Sequence, residues 1–209
     1  GKAEAILTAN EQIPGEIYQY HDRMKTYIVE VKKTSKGPQI MVSRTHPGLL
    51  KRLFELEVPE IHDGLVEIKS VAREPGMRSK ISVYTKDENI DPVGACVGHK
   101  GMRVQTIVNE LRGEKIDIVK YSSEPDQYVA NALSPAKVVS TEVLEEEKIC
   151  RVIVPDYQLS LAIGKEGQNA RLAAKLTGWK IDIKSESQAA EEAEQGAQEV
   201  GVAYEADKD

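Results

Sequence analysis

Two glycine pairs in this chain have the spacing of a phosphate-binding hinge. They are Gly98-His99-Lys100-Gly101 and Gly164-Lys165-Glu166-Gly167. Each interrupts a run with apolar residues at helical spacing, which predicts two helices joined by a glycine hinge. The first backbone N–H groups of a helix lack intrahelical partners and, with the helix dipole, attract an anion. Lys100 lies in the first hinge and Arg103 follows it, so the expected anion is a nucleic-acid phosphate.

The second hinge belongs to a copy of the sequence around the first. The two hinges are 66 residues apart (164 − 98). Downstream, Leu111-Arg-Gly-Glu-Lys-Ile-Asp-Ile118 matches Leu176-Thr-Gly-Trp-Lys-Ile-Asp-Ile183 at an offset of 65 (176 − 111). Helix, Gly-x-x-Gly, helix, Gly and Lys-Ile-Asp-Ile therefore occur twice in the same order. The pattern predicts a tandem repeat of one domain.

Each hinge needs further elements to position it. Periodicity predicts a helix over 47–57 that Pro59 ends, then strands over 65–73, 80–85 and 115–120. The second copy has a helix over 124–133 and strands over about 137–144, 148–154 and 180–184. Because the last strand follows a helical crossover, it should run parallel to one of the first two. Each unit therefore has the order α-β-β-α-α-β, with helices covering one face of three strands.

Residues 1–46 have the alternation of β-strands. A short apolar run over 3–7 and a hairpin that turns at 35–38 predict three strands. Three strands are too few to close a barrel, so we interpret this region as the remainder of a small β-barrel cut from a longer chain. Its lysines and tyrosines form either a nucleic-acid surface or a solvated hairpin. They are Lys25, Lys32, Lys33, Lys36, Tyr18, Tyr20 and Tyr27.

The net charge of −6 argues against a nucleic-acid partner until its distribution is considered. Residues 186–209 hold eight acidic residues and one lysine. Subtracting these from the totals of 34 acidic and 28 basic residues leaves 26 and 27 in residues 1–185. A nearly neutral body can still carry a basic groove, because phosphate binding depends on local potential. The residues after Ser187 show no apolar periodicity, which predicts a disordered acidic tail.

The sequence gives little support for catalysis, metal binding or membrane insertion. Gly164-Lys165 lacks the preceding glycine and the following Ser or Thr of a phosphate loop. The four histidines, His21, His46, His62 and His99, have no metal-binding spacing. No run of about 18 apolar residues is present. Cys96 and Cys150 lie in apolar contexts, which favours buried free thiols. We therefore expect no cofactor and no metal.

The quoted residues resemble known families. A Gly-x-x-Gly hinge between two helices, followed by a strand, is similar to the KH domain, which binds single-stranded nucleic acid. Strands that precede the helix pair are typical of its bacterial form. Five further strings closely resemble the NusA family of bacterial transcription termination/antitermination factors, and the resemblance covers nearly all of residues 1–187. They are Ser43-Arg-Thr-His-Pro47, Glu57-Val-Pro-Glu-Ile61, Ala72-Arg-Glu-Pro-Gly76, Asp91-Pro-Val-Gly-Ala-Cys-Val-Gly98 and Gly113-Glu-Lys-Ile-Asp-Ile118.

The resemblance implies an α+β protein. In that family a polymerase-binding domain precedes an OB-type barrel (the S-one motif) and two KH domains. The expected parts are the end of that barrel over 1–46, a first KH domain with its leading helix over 47–121, a second KH domain over 122–187 and the acidic disordered tail over 188–209. The implied function is single-stranded RNA binding by a monomeric, cytoplasmic, non-enzymatic transcription factor. Its implied partners are the nascent transcript, RNA polymerase and other transcription factors.

The KH resemblance also implies which residues bind RNA. The glycines allow close approach of the sugar-phosphate backbone, and about four nucleotides lie in an apolar groove beside the first helix. The expected set is Val97, Gly98, His99, Lys100, Gly101 and Arg103 at the first hinge, and Ile163, Gly164, Lys165, Glu166, Gly167, Asn169 and Arg171 at the second. Val97 and Ile163 could also serve core packing. The carboxylate of Glu166 either weakens phosphate binding or points to solvent.

Two other functions remain open at this stage. KH folds could dock polymerase, the ribosome or a regulatory factor, and the acidic tail would suit a basic protein partner. An enzyme of RNA turnover with accessory KH and barrel modules is a weaker alternative, because the barrel usually follows the KH domain in such proteins.

Overall fold

The computed structural model describes residues 3–206, with side chains described through residue 197. It contains two compact units that adjoin in the chain between Tyr121 and Ser122. The first has β1 (Ala5–Ile6), β2 (Tyr27–Thr34), β3 (Gly37–Ser43), α1 (Pro47–Glu57), α2 (Pro59–His62), β4 (Glu67–Glu74), β5 (Arg78–Tyr84), α3 (Pro92–Val97), α4 (Met102–Glu110) and β6 (Lys115–Lys120). The second has α5 (Pro125–Ala132), β7 (Ser140–Leu144), β8 (Ile149–Val154), α6 (Leu159–Ile163), α7 (Gln168–Thr177), β9 (Lys180–Ser185) and α8 (Glu186–Ala206).

The first sheet is open and has three strands in the order β1-β3-β2. Strand β2 pairs antiparallel with β3, and β1 runs parallel to β3. This agrees with the predicted hairpin plus one strand. Residues 3–206 close no barrel around this sheet, so the OB-type assignment stays a prediction.

The two repeats fold into three-stranded sheets with one topology. The orders are β4-β5-β6 and β7-β8-β9, in which the first pair is antiparallel and the second pair parallel. The prediction that the last strand runs parallel to an earlier one is confirmed. The repeated Lys-Ile-Asp-Ile string has the same place in each sheet, since Ile118 pairs with Ile81 and Ile183 pairs with Val152.

The first repeat has an apolar core between its helices and its sheet. Leu50 and Phe54 of α1 and Ile81 of β5 are fully buried there, together with Cys96 of α3. Full burial of such a side chain stabilises a fold by about 1.5–3 kcal/mol. Burial also raises the pKa of the Cys96 thiol to about 12. Cys96 and Cys150 are both buried free thiols.

A buried arginine joins the first sheet to the helix that starts at the first hinge. The Arg44 side chain is fully buried, and its Nη2 lies 2.7 Å from Oε1 of Glu16, of which 2% is exposed. The same nitrogen donates to the Glu110 carbonyl oxygen at the end of α4 (3.0 Å), and Nη1 donates to the Lys25 carbonyl oxygen (2.9 Å). The guanidinium thus crosslinks β3, the segment between β1 and β2, and α4.

A second buried carboxylate distinguishes the first repeat from its copy. Glu114 accepts hydrogen bonds from the Arg73 guanidinium (3.0 Å), the Gly76 N–H (2.8 Å) and the Ser79 hydroxyl (2.9 Å). Arg73 also donates to the carbonyl oxygen of His46, just before α1. The residue that matches Glu114 in the second repeat is Trp179. The ring of Trp179 lies 5.0 Å from Nζ of Lys148, a cation–π contact.

The acidic tail predicted over 188–209 is helical as far as residue 206, so the prediction of disorder is wrong over residues 188–206. Residues 207–209 of the predicted tail lie outside the described part of the chain. Ser185 and Gln188 form a capping box, in which the Gln188 N–H donates to Oγ of Ser185 (3.2 Å) and the Ser185 N–H donates to Oε1 of Gln188 (3.0 Å). Alanine, glutamate and glutamine also favour helices without any apolar stripe. The capping pattern Ser-x-x-Gln was the overlooked signal.

Asp156 tethers the start of α8 to the segment that leads into α6. Its carboxylate accepts hydrogen bonds from the Ser187 N–H (3.0 Å) and the Ser187 hydroxyl. These bonds, the hydroxyl bond first, lower the pKa of Asp156. Because the pKa is lowered on folding, the stabilisation is present at neutral pH. It is lost only as the pH falls through that lowered pKa.

Replacing Ser185 with alanine should loosen the first turns of α8 by about 1 kcal/mol, because one orphan N–H loses its acceptor. Amide hydrogen exchange at Gln188 and the next residues measures this as faster exchange. Ser123→Ala changes an exposed serine that precedes α5 and is the control. Equal exchange in both variants would contradict the capping assignment.

Candidate nucleic-acid interface

The two glycine hinges have nearly the same backbone geometry. Each begins with a glycine in an extended, positive-φ conformation, and its third and fourth residues are left-handed. The angles are φ 77°, ψ 175° at Gly98 and φ 78°, ψ 169° at Gly164; φ 53°, ψ 27° at Lys100 and φ 55°, ψ 27° at Glu166; φ 74°, ψ 14° at Gly101 and φ 74°, ψ 12° at Gly167. The sequence repeat is therefore a repeat of loop shape.

The first glycine of each hinge is required by close packing. A Cβ on Gly98 would lie 2.6 Å from Cγ of Arg103, and one on Gly164 would lie 2.7 Å from the backbone nitrogen of Asn169. The second glycine faces open space. A Cβ on Gly101 would meet no atom within 4 Å among the described residues, and one on Gly167 would lie 4.0 Å from Nη1 of Arg171. That open side is where a phosphate could approach the loop.

The middle residues of both hinges are exposed. His99 and Lys100 are on the surface of the first loop, as are Lys165 and Glu166 on the second. The N–H of each second glycine is used within the turn, since Gly101 donates to the Gly98 carbonyl oxygen at 3.1 Å and Gly167 to that of Gly164 at 3.1 Å. The N–H groups of Gly101 and Gly167 are therefore not available to an anion.

Apolar side chains border both hinges. Ile163 is 37% exposed at the end of α6, and Val97, its counterpart in α3, is partly buried. The sequence analysis missed Met102, which follows Gly101 and is 66% exposed, and Leu161, which is 43% exposed. Their proximity to a hinge was the available signal. Together these side chains supply the apolar contact surface that a groove for bases requires.

Three of the expected RNA-binding residues make contacts within the protein. Nη1 of Arg103 donates to the Ala95 carbonyl oxygen (2.7 Å), and Nη1 of Arg171 donates to that of Glu166 (3.1 Å). Asn169 is 1% exposed, and its Nδ2 donates to the carbonyl oxygens of Leu133 and Ala162. We correct the expectation for Asn169, because a buried amide cannot touch RNA. Arg171 is exposed at the second hinge.

The two hinges differ in charge. The first has Lys100 and a histidine, whereas Lys165 in the second is followed by the exposed carboxylate of Glu166. Opposite charges on adjacent exposed residues largely cancel the local potential that would attract a phosphate. The first hinge should therefore hold a phosphate more tightly than the second.

The described part of the chain lacks two other kinds of site. None of its helices is both long enough and apolar enough to span a lipid bilayer. Nor do these residues bring together three His, Cys, Asp or Glu side chains that could ligate a metal ion.

Two α-β-β-α-α-β units, each with a Gly-x-x-Gly hinge between paired helices, define a tandem KH protein. Residues 44–121 match the model of the NusA-like first KH domain, and residues 125–191 match that of the NusA-like second KH domain. The chain belongs to the NusA family.

Curated relatives support this assignment over most of the chain. The transcription termination/antitermination protein NusA of Halalkalibacterium halodurans is 74% identical over 191 residues, which are 91% of this chain and 50% of the relative. The Bacillus subtilis protein of that name is 73% identical, over 91% of this chain and 52% of its own length. The Thermus thermophilus protein is 52% identical, over 87% and 47% respectively. This chain thus spans about half the length of these relatives.

Proposed function

We propose that this chain binds single-stranded RNA through both glycine hinges, as part of a transcription termination/antitermination factor. The observation that carries the proposal is the repeated loop shape, which presents exposed Lys100 and Lys165 beside glycines that leave room for a phosphate. Membership of the NusA family and the two KH domains support it.

The proposed mechanism is a backbone clamp with an apolar groove. Each loop holds the sugar-phosphate backbone, while about four nucleotides contact the side chains that border the hinge. Aromatic residues are 5% of the chain, so phosphate contacts and groove burial contribute more than base stacking. Two linked sites raise the affinity for one strand through effective concentration, provided that the strand reaches both.

In the whole protein, this binding would act on the nascent transcript. We propose a non-enzymatic, monomeric factor that regulates pausing, termination and antitermination by RNA polymerase in the bacterial cytoplasm. RNA polymerase and other transcription factors are its proposed protein partners. The names of the relatives, transcription termination/antitermination protein NusA, support this role.

A titration of short single-stranded RNAs at several salt concentrations tests the proposal. If each hinge neutralises about two phosphates, the logarithm of affinity should fall against that of salt with a slope of roughly −3. A fourfold rise in salt then weakens binding about 60-fold.

The strongest test of the proposal is a variant with both hinge loops changed, called the loop variant. Asp-Asp in place of His99-Lys100 and of Lys165-Glu166 should abolish binding while the protein stays folded. Asp-Asp in place of Lys51-Arg52, which are exposed on α1, controls for a general change of charge. Unchanged affinity in the loop variant would overturn the proposal and favour a protein-docking role for the KH folds.

A further inference from the structure

The fifth residue after the first glycine has the same task in both hinges. That residue is Arg103 in the first repeat and Asn169 in the second, and each packs against the glycine that opens its hinge. Each also donates a hydrogen bond to a carbonyl oxygen in the preceding helix, from Arg103 to Ala95 (2.7 Å) and from Asn169 to Ala162 (2.9 Å). Both side chains thereby connect the two helices on either side of a hinge.

The second bond of each residue reaches a different element. Asn169 donates to the carbonyl oxygen of Leu133, directly after α5 (3.0 Å). Arg103 uses Nη1 to bind Oε2 of Glu60 in α2 (2.9 Å). The second repeat thus fastens its hinge with a buried neutral amide, and the first repeat fastens its hinge with an ion pair.

Glu60 is well placed to anchor Arg103. Its backbone carbonyl oxygen accepts the N–H groups of Leu65 and Val66, each at 2.9 Å, which fixes α2 against the start of β4. The carboxylate and the guanidinium are each 31% exposed, so the pair is partly desolvated. Both charges affect the pKa of the buried Cys96 thiol. Burial raises this pKa most, Glu60 raises it further and Arg103 lowers it.

We propose that Arg103 is a positioning residue, which with Glu60 holds the first hinge in its RNA-binding shape and is not itself a phosphate ligand. The inference rests on the proposed function and refines it. It makes α2, an element that carries no residue of the expected interface, part of the first RNA site.

Replacing Glu60 with glutamine distinguishes a phosphate-binding role of Arg103 from a positioning role, because the two roles predict opposite changes in RNA affinity. If Arg103 bound phosphate, loss of the competing carboxylate would free the guanidinium and remove a repulsive charge, so RNA affinity would rise. If Arg103 positions the hinge, a weaker anchor loosens the loop and affinity falls. The stabilisation that an exposed ion pair provides corresponds to a factor of about 1.5 to 5, and we expect RNA affinity to fall by a factor in that range.

The experiment uses the full chain with Lys165→Asp, so that binding reports on the first hinge. RNA affinity and its salt dependence are measured for this parent and for Glu60→Gln, Arg103→Ala and the double variant. We expect Arg103→Ala to weaken binding without changing the salt slope, whereas a lost phosphate contact would make the slope shallower by about 0.7. Once Arg103 is alanine, Glu60→Gln should have no further effect.

Tighter binding by Glu60→Gln, a shallower slope for Arg103→Ala, or additive effects in the double variant would overturn the inference. Thermal unfolding checks that each variant is folded. Should Glu60→Gln fail to fold, Glu60→Asp keeps the charge and shortens its reach, and it should also weaken binding. The unsubstituted chain is measured alongside, and its failure to bind RNA would refute the proposed function itself, an outcome distinct from a wrong sign in the variants.

Discussion

Gly164→Ala should destabilise the second unit by about 3–5 kcal/mol and abolish its RNA binding. At φ 78° and ψ 169° the backbone is in a region that only glycine occupies without strain. The new methyl group would also lie 2.7 Å from the backbone nitrogen of Asn169, which cannot move aside as a flexible side chain would. Relief therefore requires the hinge to change shape.

Gly167→Ala is the matched control. Its φ of 74° is also left-handed, yet a methyl group there faces open space, so we expect a loss of about 1–2 kcal/mol. Trp179, the single tryptophan of the chain, lies in the second unit and reports its denaturant unfolding by fluorescence. RNA binding is read with His99 and Lys100 both replaced by aspartate. Equal losses for the two alanine variants would show that close packing does not set the cost.

Arg44→Ala should destabilise the first unit by about 3–5 kcal/mol, because it leaves the carboxylate of Glu16 buried without its cation. Arg44 is fully buried and Glu16 is 2% exposed. Oε2 of Glu16 accepts no hydrogen bond from any described residue, so the carboxylate depends on contacts through Oε1. The nearest other cation is Arg112, with Nε 3.6 Å from that oxygen.

Arg52→Ala is the control for Arg44, since the two ion pairs have the same length and different burial. Nη1 of Arg52 lies 2.7 Å from Oε2 of Glu55, but the side chains are 67% and 40% exposed. An exposed pair of this kind contributes about 0.2–1 kcal/mol. Hydrogen exchange in β3 and α4 measures the stability of the first unit. Similar losses in both variants would show that burial does not set the value of the Arg44 pair.

The overall fold followed from local patterns in the sequence. A duplicated hinge, an amphipathic helix at 47–57 and a crossover before the last strand were enough to predict two α-β-β-α-α-β units. Even the bounds of α1 and β6 agree with the structure. Such features depend on residues close together in the chain, where spacing and propensity act directly.

The roles of individual polar residues could not be predicted in the same way. Asn169 has the type and position of an RNA ligand, and only the carbonyl oxygens of Leu133 and Ala162 show that its amide is already used. Folding buries the charged residues Arg44 and Glu114. Local sequence patterns could not predict this, because the partners of both residues come from distant segments. Helix α8 was missed for another reason, because the tail was judged by its lack of apolar periodicity. Its cap is local and visible in the sequence as Ser185-Glu-Ser-Gln188.

The second repeat has Trp179 at the position where the first repeat has Glu114, and this difference limits which parts of the two repeats can be exchanged. The carboxylate of Glu114 holds Arg73, which in turn binds the His46 carbonyl oxygen at the entry to α1. A chimera in which only the turn before β6 and β6 itself came from the second repeat would offer Arg73 the indole of Trp179 and leave its charge unmatched. The two repeats share one architecture, but their last strands, each with the residue that precedes it, are no longer interchangeable.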